Sequence, residues 1–415
     1  MRIAVALSGG GFRASLFHLG VLRRVAELGW LPRVDAISTV CGGSIVGAFA
    51  ALRWRRMLDA GGDAAAFQAA IADPFVEVVS RRNVFREWWT RLLVRGWPRI
   101  PDPCFTRTIV FGELLSEVFY DGVSCTELPD SPYTIFNATN LASARAFRFT
   151  KHGLGDSRIG YATWPPERAL PVGVAVGASA AFPPVFAPLR LDARQYSFGG
   201  PVYARDSPGE AGDAIELTDG GVYENLGTEV VTKGTALPCG KIADSPDFLI
   251  VSDGGYATRF DTRVTRKPLL ATWRLLNRVN DIALSQVAAL RRRRLMEMFE
   301  SKKIRGLLIV LGSDVNHIAD RTYRDVIGAN ACPPADIVRL VQRIRTHLNR
   351  FTRQEAECLM YYGYTVTDTV LWAGRDFLST PYTRADGPPT WQINFDPEKI
   401  AEMTKALRSS HCVWR

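Results

Sequence analysis

Two apolar runs near the start of the chain each end in a glycine-rich turn and pass into a helical pattern, about one βαβ repeat apart. Ile3 to Leu7 leads into Ser8-Gly9-Gly10-Gly11-Phe12-Arg13. Asp35 to Val40 leads into Cys41-Gly42-Gly43-Ser44 and the apolar, small-residue stretch Ile45 to Leu52. Strands joined through helices run parallel, and a parallel sheet needs helices on both faces, so this opening confines the chain to an α/β architecture. Further strand-like runs at Tyr133 to Thr139, Phe248 to Ser252 and Gly306 to Leu311 predict a three-layer α/β/α sandwich with a mostly parallel central sheet. In such sheets the site lies at the carboxyl ends of the strands, where both glycine turns and the turn Asp253-Gly254-Gly255 fall.

Each junction carries a definite chemistry. Glycines let backbone N–H groups face a ligand without a Cβ in the way, and a helix N-terminus adds about half a positive charge behind them. The first turn therefore suits a phosphate or an oxyanion. No Gly-Lys-Ser/Thr follows it, which excludes a P-loop, and the full Gly-x-Gly-x-x-Gly spacing of a dinucleotide site is missing. The second turn has the layout of a nucleophile elbow, with Cys41 at the tip of a strand-to-helix turn. Thr39-Val40-Cys41-Gly42-Gly43 matches Gly-x-Ser-x-Gly only in its last glycine.

Taken in order, Gly9-Gly10-Gly11-Phe12-Arg13, the elbow at Cys41, Asn137-Ala138-Thr139-Asn140, Ala178-Ser179-Ala180-Ala181-Phe182-Pro183-Pro184 and Asp219-Gly220-Gly221 resemble the motifs of patatin-like phospholipases over the first 255 residues or so. The resemblance implies a lipid acyl hydrolase with a Ser-Asp dyad on an α/β sandwich. Carried over by position, it implies Cys41 as nucleophile and Asp219 as its partner. Gly9, Gly10 and Gly11 become the oxyanion loop, and Arg13, Gly43, Gly220 and Gly221 its supports. The substrate it implies is a phospholipid or other acyl lipid, cleaved through a covalent acyl-enzyme without a cofactor. A thiol in place of the serine leaves two alternatives open: an acyl-transfer variant, and a non-hydrolytic or inactivated lipid-binding member of the fold.

Several residues compete for these roles. A thiolate is a stronger nucleophile than a serine hydroxyl, but a neighbouring carboxylate disfavours it, so a Cys-Asp pair without histidine is chemically awkward. Ser44, in the first helical turn, is the rival nucleophile, with backbone bonding as its ordinary role. Asp253 also precedes two glycines and competes with Asp219 as base. Arg13 has two readings, orienting the glycine loop or meeting a substrate phosphate bidentately. His18 reads as a packed structural histidine and is left out of the chemistry. Asn137 and Asn140 are read as fixing loop backbones near the cleft.

Composition sets the remaining bounds. At 415 residues and 47% hydrophobic the chain can bury a large core. Residues 1–255 read as the catalytic core and 256–415 as a helical and strand extension that completes or braces the same sheet. No apolar run approaches the ~20 residues of a membrane span. Seven scattered cysteines, without Cys-x-x-Cys spacing, fit a reducing cytoplasm. The five histidines form no metal motif, so no metal is expected. A net charge of +9 favours anionic surfaces, phospholipid headgroups or nucleic acid, without choosing between them. With the resemblance, the expected partner is an anionic membrane surface, bound peripherally, rather than nucleic acid. Arg81 to Arg99, which interleaves arginines with Trp88, Trp89 and Trp97, resembles an interfacial helix or lid. Pro188 to Asp213 reads as a long surface loop. Thr262 to Phe299 reads as one or two long helices whose apolar spacing suits core packing. A helical segment from Pro334 to Asn349 and a helix from Arg353 toward Ala373 follow.

Overall fold

The structure is a computed structural model that describes residues 1–96, 99, 102, 104–199, 212–233, 246–255, 271–318, 332–374 and 389–410. Ten strands form one sheet: β1 Ile3–Leu7, β2 Val34–Val40, β3 Tyr133–Asn140, β4 Arg145–Thr150, β5 Gly153–Asp156, β6 Gly160–Thr163, β7 Leu189–Asp192, β8 Ala214–Asp219, β9 Phe248–Asp253 and β10 Arg305–Val310. Their order is β10-β9-β1-β2-β3-β4-β5-β6, with β8 beside β3 and β7 beside β8. Strands β10 through β3 pair in parallel, and the pairs from β3 outward are antiparallel. Strands β1 and β9 at the parallel centre are fully buried, as the apolar runs Ile3 to Leu7 and Phe248 to Val251 require.

Helices cover both faces. Among the described residues the α-helices are α1 Gly11–Glu27, α2 Gly42–Asp59, α3 Ala64–Phe67, α4 Asp73–Arg81, α5 Val84–Arg91, α6 Arg107–Phe119, α7 Val172–Ser179, α8 Glu229–Thr232, α9 Ala271–Glu300, α10 Val315–Ile318, α11 Ala335–Gln342, α12 Arg353–Ala373 and α13 Pro397–Ser409. Alternate residues of β1 serve different layers. Ile3, Val5 and Leu7 join the larger core under α1, α2 and α12, while Ala4 and Ala6 join a thinner one with Val230, Val231 and Leu295 of α8 and α9. Helix α12, opened by a capping box between Thr352 and Glu355, lies very close to α1. A Cβ on Gly20 would stand 1.8 Å from the Met360 carbonyl oxygen, and one on Gly363 2.2 Å from that of Phe17. The buried Arg24 of α1 pairs with Asp368 of α12 at 2.8 Å. Residues beyond 255 thus add β10 to the sheet and α12 to its first layer.

Three expectations are corrected. The stretch from Pro188 is not a loop throughout, because β7 and a 3-10 turn at Ala193–Gln195 fold it against β8; residues 200–211 lie outside the described residues. The helix expected over Pro334 to Asn349 ends at Gln342. Among the described residues helix α9 packs on the sheet through its last turns, around Leu295, Met298 and Phe299, whereas Leu275, Leu276, Val279, Ile282 and Leu290 are exposed and Leu284 and Val287 half-buried. Its start, expected near Thr262, falls outside the described residues. Among the described residues no helix is long and apolar enough to cross a membrane.

Candidate active site

The sheet brings the second turn and the Asp219 turn together by a simple register. Ala36 to Val40 of β2 pair with Tyr133 to Asn137 of β3. Strand β4 holds the other edge of β3, so β8, pairing Asp219 with Ala138, continues the line where β2 stops. Val40 and Asp219 therefore face consecutive β3 residues, Asn137 and Ala138. Cys41, one residue past the end of β2, looks onto the carboxyl of Asp219.

Cys41 sits at φ 49°, ψ −115° and is the N-cap of α2. A non-glycine residue rarely holds such a backbone, and the strain aims its side chain out of the turn. Neither α1, capped by Gly10, nor α2 has a side-chain cap. Their first N–H groups therefore find other partners, that of Gly43 in the Ser8 carbonyl. Those of Gly10 and Gly11 donate toward the Cys41 sulfur. Gly10 and Gly11 themselves adopt φ 141° and 59°, conformations that favour glycine.

Gly9 differs from its two neighbours. Its N–H is already given to the Asn225 carbonyl at 3.1 Å. A Cβ there would meet Asn225 Oδ1 at 2.3 Å and Cys41 Cβ at 3.0 Å, so Gly9 supplies space rather than a donor. Gly43 donates its N–H to the Ser8 carbonyl and lets the start of α2 lie against the end of β1. Gly220 lies against the Asn137 carbonyl, and the Gly221 N–H donates to Asp219 Oδ1 at 2.6 Å.

Electrostatics sharpen the pair. Burial, and then the Asp219 carboxyl, push the Cys41 thiol well above its ordinary pKa, against the Gly10 and Gly11 N–H groups. Burial likewise pushes Asp219 up to about 7, opposed by its bonds with Cys41 and Gly221. The carboxyl interacts with the thiol, yet its Oδ2 is buried and has no partner of full hydrogen-bond geometry. The resting site therefore holds a neutral thiol beside a carboxyl that exchanges its proton near neutrality.

The competing residues have other occupations. Ser44 Oγ lies 2.8 Å from both the Thr39 and Ser179 hydroxyls, buried under the elbow. Asp253 accepts the Gly255 N–H through Oδ1 and Arg292 Nε through Oδ2 at 2.7 Å. It thus anchors α9 to the end of β9. His18 is fully buried between Ser252 Oγ and the Ser8 carbonyl. Burial lowers its pKa to about 4, so it is neutral, with Nε2–H donating to Ser8. Arg13, 1% exposed, donates to the carbonyls of Gln342, Ile344, Gly254 and Gly255. That geometry braces the loop after β9 and turns the guanidinium away from any phosphate in the cleft.

Two residues escaped the sequence reading as parts of the site. Ser179 Oγ accepts the Cys41 N–H at 3.0 Å and donates to the Asn137 carbonyl at 2.6 Å. Asn225 closes the space beside Gly9, with its Oδ1 over Gly9 and Gly221. The Ala-Ser-Ala-Ala signal was visible for the first; for the second only its nearness to Asp219 could have served. Asn137 donates to Ser38 Oγ and the Thr39 carbonyl, and Asn140 donates to the Asp156 carboxylate at 2.8 Å and accepts the Ala142 N–H at 3.0 Å, so both fix backbone. Among the described residues no cluster of His, Cys, Asp or Glu is suited to a metal.

A strand-to-helix elbow facing a glycine turn and an aspartate, beside the carboxyl ends of the sheet's parallel centre, defines the class of site. The chain belongs to the patatin-like phospholipase family, whose profile matches residues 5–232. Human GIVD cytosolic phospholipase A2 is structurally similar, with TM-score 0.50 and 12% identity over 91% of this chain and 63% of that one. Its complex with methyl gamma-linolenyl fluorophosphonate and terbium chloride gives TM-score 0.48 at 12% identity, over 91% and 59%. The chain thus spans about 60% of the length of those structures. No curated protein sequence matches it.

Proposed function

We propose that this protein is a phospholipase A-type acyl hydrolase that works through an acyl-enzyme on Cys41. The reading rests on the Cys41 thiol lying between the Gly10 and Gly11 N–H groups and the Asp219 carboxyl. The ionised carboxylate takes the thiol proton as sulfur attacks the ester carbonyl, so a free thiolate never has to persist beside it. The carbonyl oxygen becomes an oxyanion held by the Gly10 and Gly11 N–H groups, each worth ~3 kcal/mol of barrier. Collapse expels the lysolipid alkoxide, which recovers the proton from Asp219 and leaves a thioester. Asp219 then deprotonates a water that releases the fatty acid and restores the thiol.

Residues 1–255 act as the catalytic core and 256–415 brace it. The substrate is an acyl ester of a phospholipid in an anionic membrane, met peripherally from the cytoplasm. Trp89, Leu93 and Val94, exposed by 41, 74 and 70%, form the contact with Phe182 and Val185. Trp88 is corrected from that role: it is fully buried against Phe111 and Phe186 and donates to the Arg107 carbonyl. Arg81, Arg82, Arg91 and Arg99 pair with glutamates, which weakens the charge expected of that segment; Trp97 falls outside the described residues. A second reading, acyl transfer or acyl binding without hydrolysis, is favoured by the neutral thiol alone.

The test is incubation with a chromogenic acyl ester, with and without iodoacetamide, followed by intact-mass analysis. Turnover lost on alkylation, with an acyl adduct on the Cys41 peptide, supports the hydrolase. An adduct without turnover points to transfer, and neither result points to binding alone.

A further inference from the structure

Away from Cys41, the seam between α8 and α9 forms a cleft lined by Lys233, Arg291, Arg294 and Lys303 together with Thr228 and Thr232. No carboxylate lines it. One acid at its edge, Glu229, accepts from Arg291 at 2.9 Å and Lys233 at 3.2 Å, and also faces Arg148 at 3.7 Å. Glu229 is already shared three ways. Arg294 and Lys303 are exposed, and among the described residues neither makes an ion pair with a carboxylate. Arg291 also faces the buried Glu224, which leaves Arg294 and Lys303 unmatched among the described residues, and four cations around one cleft cost repulsion that a bound anion relieves.

We propose that this cleft is a binding site for a phosphate group. Arginine forks and compact lysine ammonium groups match tetrahedral oxyanions, and the two threonines add hydroxyls. The phosphate could come from the headgroup of an acidic lipid or from a free phosphate ester. The lipid source has a structural counterpart: Leu275, Val279, Ile282 and Leu290 form an exposed apolar stripe along the outer length of α9, a face suited to the headgroup boundary. The cleft also adjoins the candidate site, since Glu229 N donates to Glu224, whose other oxygen accepts the Leu226 N–H and so holds the Asn225 turn.

The inference concerns binding and does not rest on the chemistry of Cys41, so its test reads no turnover. The full chain is compared with R294Q/K303Q, two exposed positions, and with R353Q/R408Q, which removes the same charge at exposed positions elsewhere. One arm measures sedimentation with phosphatidylcholine vesicles containing or lacking phosphatidic acid. The other measures the thermal midpoint in inorganic phosphate against chloride at equal ionic strength. We expect R294Q/K303Q to bind the acidic vesicles ~30-fold more weakly and R353Q/R408Q to change less than about threefold. Stabilisation of the parent by inorganic phosphate, absent in R294Q/K303Q, assigns the site to the phosphate group itself. A cleft-specific effect with vesicles alone assigns it to lipid headgroups. Equal losses in both variants would reduce the effect to bulk basic charge and overturn the proposal, as would absence of binding in both arms.

Discussion

Ser179 Oγ stands under the elbow as the acceptor of the Cys41 N–H, 3.0 Å away, while its own proton goes to the Asn137 carbonyl at 2.6 Å. One hydroxyl thereby ties α7, β3 and the strained turn together. Replacing it with alanine takes a partner from the half-buried Cys41 N–H and from the buried Asn137 carbonyl, so Ser179→Ala should cost about 1–3 kcal/mol of stability. Because the elbow then relaxes, acylation should slow by at least ~10-fold more than substrate binding weakens. Thermal melts and a kcat/KM comparison check both; unchanged kinetics would remove Ser179 from the positioning set.

Asp219 links activity and stability through pH. Its folded pKa, about 7, lies above the ordinary 3.8 because of burial. The folded state therefore favours the protonated acid: its contribution is fully present below about pH 4, is lost as pH rises to about 7, and stays lost above. The difference is on the order of 4 kcal/mol. In the proposed mechanism the base is the ionised form, so activity should rise through the same interval. Asp219→Asn should lower acylation by ~10²–10⁴-fold, yet melt above the parent at pH 8 and lose that advantage by pH 5. A variant that melts below the parent at pH 8 would contradict the burial argument.

Asp253 is the control for that assignment. Its carboxylate is spent on the Gly255 N–H and on Arg292, so Asp253→Asn should weaken the attachment of α9 and lower the melting temperature. The acyl adduct on Cys41 should still form. Loss of the adduct without loss of structure would shift the base to this residue.

How much of this was legible beforehand follows from the range of the interactions. The parallel centre and both turns are local patterns of apolar runs and glycines, and they read directly from Ile3 to Ser44. The strands β4 to β8 did not, because they are short, antiparallel and specified by partners far along the chain. Gly9 looked like a third donor until Asn225, over two hundred residues away in sequence, was seen to accept its N–H. Arg13 looked free for a phosphate for the same reason, since its carbonyl partners come from residues 254–255 and 342–344. Helical spacing in α9 was read correctly as a helix, but periodicity cannot tell whether an apolar face has found a neighbour.

Trp88 and its neighbour Trp89 should separate folding from surface contact. Trp88→Ala removes a fully buried ring from the cluster with Phe111 and Phe186 and should cost about 3–5 kcal/mol. Leu93 is largely exposed and Trp89, whose ring rests on Trp88, is 41% exposed, so Trp89→Ala with Leu93→Ser should lower the melting temperature far less than Trp88→Ala while weakening sedimentation with acidic vesicles. Unchanged vesicle binding would remove α5 and the turn after it from the membrane contact.

Cys41→Ser is the most discriminating substitution at the site. A serine hydroxyl is smaller and harder than a thiol, but it meets the same Gly10 and Gly11 donors and the same carboxyl at Asp219. If those groups form a competent hydrolytic frame, the serine variant should turn over a chromogenic ester, resist iodoacetamide, and keep the pH dependence set by Asp219. Cys41→Ala supplies the baseline, with fold intact and no adduct, because only one half-buried side chain changes. A serine variant as inert as the alanine one would mean that the frame binds acyl groups without cutting them. A serine variant faster than the parent would mean that the thiol limits a complete hydrolytic site, most plainly at deacylation of a thioester whose water must be activated by the same carboxylate.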